Sequence, residues 1–126
     1  MKKLIQSSLS LVVATAFCAV ASTSFAGDKS EDHETIEMVM KKGMKGKTAL
    51  VAKVKSGKGS KEDLKKLHEM FVKLAATKPE KGDLSSWKAK TSALVKATDG
   101  LLKGDAKAKG ALNKAANCKA CHKIHK

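Results

Sequence analysis

Close to the C-terminus, Cys118, Cys121 and His122 fall three and four residues apart. On a helix that spacing brings all three side chains to one side within about one turn. Two thiols can add to the two vinyl groups of a porphyrin, and the imidazole that follows the second thiol can then reach the iron along its axis. C-x-x-C-H is accordingly the attachment signal for a c-type haem.

Other chemistries fit the same residues less well. Cys118, Cys121, His122 and His125 make four candidate zinc ligands, but structural zinc usually takes two ligand pairs separated by a loop, and here Cys121 and His122 are adjacent. A redox C-x-x-C normally opens a helix after a strand, whereas this one ends a chain without strand signals. A disulfide between Cys118 and Cys121 would close a very short loop and leave His122 without a purpose.

The start of the chain bears on this choice. Met1, Lys2 and Lys3 precede an apolar run over residues 4–20 and then small residues. That order is a secretory signal peptide, residues 1–26, with a cut expected after Ala26. A membrane anchor fits less well, because Ser and Thr interrupt the run and its length is at the short limit for a span. Lipoprotein processing at Cys18 fits poorly beside bulky Phe17. The mature chain, residues 27–126, is one small domain expected in the periplasm, where haem is attached covalently, and no mature cysteine is left over. A chain of that size buries a limited share of its surface, so a cofactor would help fill its core.

All 26 basic residues are lysine, and two of them lie in the leader, leaving 24 against 12 acids and a formal charge of +12. Without arginine the chain lacks the bidentate fork that reads guanine edges or clamps phosphate. Phe71 and Trp87 are the only mature aromatics, so base stacking is lacking too. The charge therefore reads as a solvated surface that steers acidic protein partners, with no nucleic acid involved.

Ala, Lys, Leu, Met and Glu dominate and alternating β-branched runs are missing, which places the chain in the all-α class. A first helical region is expected over residues 32–55, with Gly43 and Gly46 able to bend it. Ser60 and Asp63 form an N-cap pair for a second helix carrying Leu64, Leu67, Phe71 and Leu74, which stops before Pro79. Asp83 opens a third, whose Leu84, Trp87, Thr91, Leu94, Thr98 and Leu101 follow the spacing of a bundle seam. Asp105 opens a fourth, running through Leu112 into the cysteine motif. Short connections predict an antiparallel up-and-down four-helix bundle.

The sixth iron ligand decides what such a protein does. A thioether makes a low-spin electron carrier, whereas an open apolar distal face lets iron bind nitric oxide or carbon monoxide. Ile36, Met40 and Met44 share one helix face, which must point inward because Lys41, Lys42 and Lys45 need water. In an arbitrary helix both methionines would be plain core fillers. His68 lies on the apolar side of the second helix, within reach of a haem edge or simply at the core margin. His33 precedes the first helix and is expected in solvent. His125, three residues after His122, is on the proximal side and has no part in the ligand set.

The mature chain resembles the cytochrome c-prime family, including its low-spin electron-transfer relatives. The likeness spans the mature length, although this chain is shorter than most members. It is carried by the C-terminal C-x-x-C-H, by Trp87 at the opening of the third helix, and by Lys126 four positions after the haem histidine. The resemblance implies a haem between the first and fourth helices, held by Cys118 and Cys121 with His122 as proximal ligand. It also implies a first-helix Met followed by Lys as distal ligand, which Met40-Lys41 matches, with Met44 one turn later as runner-up. Dimers through the first two helices are frequent in the family. The expectation is a periplasmic monohaem cytochrome that carries single electrons and turns over no substrate; the alternative is a five-coordinate haem that binds or senses nitric oxide or carbon monoxide.

Overall fold

A computed structural model describes residues 29–126, so the leader and its cut site lie outside the described residues. The described chain is all-helical. Its elements are α1 (Lys29–Met38), a π-helical segment (Val39–Met44), α2 (Leu50–Ser56), α3 (Lys61–Ala76), α4 (Leu84–Leu102), α5 (Ala108–Ala115) and α6 (Cys118–His125). No helix among the described residues is long and apolar enough to cross a membrane.

The expected first helix is therefore three pieces. Lys45 N donates to Met40 O at 2.8 Å, a bond across five residues that marks the π segment. Gly46 then takes φ 95°, a left-handed conformation that stops the helix, and α2 restarts after Ala49. Gly43 serves a different need. A Cβ there would stand 3.3 Å from Met70 Sδ, so its bare backbone lets the π segment approach α3 closely.

Side chains at the helix starts satisfy amides that have no partner within the helix. Ser60 and Asp63 form a reciprocal capping box at α3, with bonds of 3.0 and 3.1 Å. Asp83 Oδ2 accepts from Ser86 N at 3.0 Å at α4. The expected fourth helix differs from its sequence reading. It starts at Ala108, because Asp105 is held in a turn by Lys107 N, and it is broken at Ala116 and Asn117. Asn117 then caps α6 through Ala120 N at 3.1 Å, so the cysteine motif opens a helix of its own.

α3 and α4 pack against each other, α5 lies on α4, and α2 touches α3, α5 and the π segment. Leu67, Phe71 and Leu74 from α3 meet Trp87 and Leu94 from α4 and Leu112 from α5 in the core. The seam of α4 is buried at Trp87, Thr91, Leu94 and Thr98, while Leu84 at its start is exposed. Thr91 and Thr98 can sit there because each hydroxyl donates back to a carbonyl of the preceding turn, at 2.9 and 3.0 Å. Trp87 Nε1 donates to Thr77 O at 2.9 Å, so the largest core side chain leaves no polar atom without a partner.

Candidate functional site

Cys118, Cys121 and His122 all lie on the eight-residue α6, and both cysteines are free. Cys118 and His122 are exposed, whereas Cys121 is half-buried and packs against the hydrophobic core. Among the helices, α6 touches α4 alone. Burial pushes the Cys121 thiol up from its ordinary value, with the Cys118 side chain adding to the effect and the Lys90 ammonium opposing it.

The fourth zinc-ligand candidate has gone elsewhere. His125 turns inward, with Nδ1 3.0 Å from Lys81 O and Nε2 3.2 Å from Ser86 Oγ. Among the described residues, no group of three or more His, Cys, Asp and Glu side chains is placed to hold a metal ion. What α6 offers is one exposed thiol, one half-buried thiol and one exposed imidazole at the start of a capped helix. By donor chemistry that set fits covalent attachment of a porphyrin and one axial bond to its iron.

Met40 and Met44 lie on the π segment, both half-buried and both packed against the core. The fully buried positions of that segment are Val39 and Gly43. A bond across five residues turns the chain less per residue than an α-helix does, so the face expected to run through Ile36, Met40 and Met44 is rotated. The methionines flank the buried stripe rather than form it. Met38 at the end of α1 and Met70 beside Gly43, which carried no signal in the sequence, contribute two further half-buried thioethers.

The remaining histidines are accounted for locally. His68 is at the core margin, with Nδ1 2.9 Å from Thr98 Oγ1. His33 lies inside α1 rather than before it, since that helix begins at Lys29; it is exposed and pairs with the Glu80 carboxylate. Two clefts open elsewhere. One of about 300 Å³ runs between Val54, Leu64 and Leu101, and one of about 530 Å³ between α4 and α5 is lined mostly by alanine and lysine. Neither includes the cysteine motif or Met40.

Two features of the site escaped the sequence reading. Asn117 had a legible signal, because Asn is a favoured N-cap residue and stands three before Ala120. The seat of His125 had none, because Lys81 and Ser86 are 44 and 39 residues away. No family model matches the chain, and neither a curated protein nor a solved structure does.

Proposed function

We propose that this chain is an exported monohaem c-type cytochrome of the cytochrome c-prime type that carries single electrons in the periplasm. The observation that supports it most is the turn at the start of α6, where the free Cys118 and Cys121 and the exposed His122 share one capped helix. Cys118 and Cys121 would hold the porphyrin through thioethers, and His122 would supply the proximal bond. When bound, the haem supplies an iron that cycles between ferric and ferrous states. The protein's own share is to fix the axial groups, keep water from the buried side through the core around Phe71 and Trp87, and present a charged surface.

In this reading the helices form an antiparallel up-and-down bundle. Contacts between α3, α4 and the loop joining them support it: Thr77 meets Trp87 close to the loop, and His68 meets Thr98 farther along. Met40 is the proposed distal ligand, with Met44 as runner-up, and the neutral thioether would favour ferrous iron relative to a second histidine. The lysine surface would speed encounters with acidic redox proteins, and a homodimer is compatible with the resemblance.

The alternative is a five-coordinate haem that binds nitric oxide or carbon monoxide. One observation favours it: the buried positions of the π segment are Val39 and Gly43, an apolar surface without a ligand atom. Optical spectra of the ferrous protein with and without carbon monoxide separate the two. Electron transfer predicts a low-spin spectrum that carbon monoxide barely changes. A high-spin spectrum that shifts on adding the gas replaces it with the alternative, and no haem spectrum at all overturns both.

A further inference from the structure

The end of α6 is seated in a way its sequence does not announce. His125 is only 7% exposed, while its neighbours Ile124 and Lys126 are open to solvent. A carbonyl can only accept, so the 3.0 Å contact with Lys81 O places the ring proton on Nδ1. Nε2 is then free to accept the Ser86 hydroxyl at 3.2 Å. The ring also meets Trp87 edge to face, with centroids 5.2 Å apart and planes at 74°, and Trp87 is itself tied to Thr77 O.

The loop opposite is shaped to receive this ring. Gly82 has φ 82°, and a Cβ there would come within 2.7 Å of both His125 Nδ1 and Ile124 O. Any larger residue would push α6 away. The same loop also receives α1, because Lys78 N donates to Asp32 Oδ2 at 3.2 Å and Glu80 pairs with His33. One short connection between α3 and α4 thus holds both α1, which leads into Met40, and α6, which carries His122.

An eight-residue helix has little stability of its own, and α6 packs on no helix but α4. Its placement therefore depends on few contacts, and those of His125 are the most specific. His122 and His125 are three apart and so are neighbours on the helix surface. The rotation that seats one fixes the heading of the other. We infer that His125 is a positioning residue: by locking α6 to the 77–83 loop it sets the direction of His122 relative to α1 and the π segment. The role in ligand geometry rests on the haem reading proposed above; the seating of α6 does not.

The test uses the full chain in two forms, produced with and without the cellular machinery that attaches haem. In the haem-free form, His125→Ala and Gly82→Ala should each raise amide hydrogen exchange over residues 118–125 at least tenfold, with α3 and α4 still protected. His125→Asn, whose amide nitrogen can replace Nδ1 toward Lys81, should fall between these and the unsubstituted chain. In the haem-loaded form, His125→Ala and Gly82→Ala should retain the mass of the haem while the ferric spectrum and reduction potential shift, with His125→Asn restoring part of both. Unchanged exchange in His125→Ala and Gly82→Ala overturns the proposal, as does exchange that rises equally in α3 and α4. Raised exchange with an unchanged spectrum and potential overturns the role in ligand geometry. If the unsubstituted chain never acquires haem, the haem reading fails, and the exchange arm alone still decides whether His125 seats α6.

Discussion

Met40 and Met44 are chemically equal candidates on the same π segment, and the backbone between them decides what each can reach. Because Lys45 bonds back to Met40 O, the turn is wider there than in an α-helix, and Val39 and Gly43 take the buried positions. With Met40 as distal ligand, Met40→Ala should turn a low-spin ferric protein into a high-spin one that reacts with carbon monoxide, and Met44→Ala should change the spectrum little. The reverse outcome moves the ligand one turn along. The cysteine motif could be singled out at this scale because the chemistry proposed for it depends on covalent spacing within five residues. The work of His125 was not legible, because a ring that binds a carbonyl 44 residues away leaves no local mark.

The starts of α3 and α4 were the most legible features of the elements. Ser60 with Asp63, and Asp83 with Ser86, cap α3 and α4 where their side-chain types predict. Replacing Ser60 with Ala should lower stability by about 0.5–2 kcal/mol, read as a fall in the denaturation midpoint without a change of slope. The same caps give the fold an acid dependence. The backbone bond from Ser60 lowers the Asp63 pKa, and bonds from Ser85 and then Ser86 lower that of Asp83. A carboxylate held below its unfolded value adds stability that is complete above that value and is lost as pH falls through the folded one. The thermal midpoint should therefore drop below about pH 4, and less steeply in Asp83→Asn. Interruptions were harder to read. Gly43 and Gly46 were legible only as bends, whereas Gly46 stops the helix, and the π segment arises from the backbone and from the close approach of Gly43 to α3, which one strand of sequence does not encode locally. The break at Ala116 and Asn117 was masked by a run of good helix formers.

For the whole molecule, composition already implied a small, lysine-covered all-helical chain, and the described residues bear out the helical class. A charge of this size should raise association rates with acidic redox proteins by about tenfold to a thousandfold at low salt. Stopped-flow rates should lose most of that gain by about 0.15 M salt, where the screening length is about 8 Å; rates that ignore salt would separate the lysine surface from partner recognition. The proposed haem attachment is a covalent bond, and one measurement reaches it without relying on folding or activity. Thioethers survive denaturation, whereas an axial bond to iron does not. Mass spectrometry of the unfolded mature chain, produced in cells that mature other c-type cytochromes, should give the polypeptide plus one haem, and the addition should vanish when Cys118 and Cys121 are both replaced. An unmodified polypeptide mass from those cells would rule out covalent haem attachment.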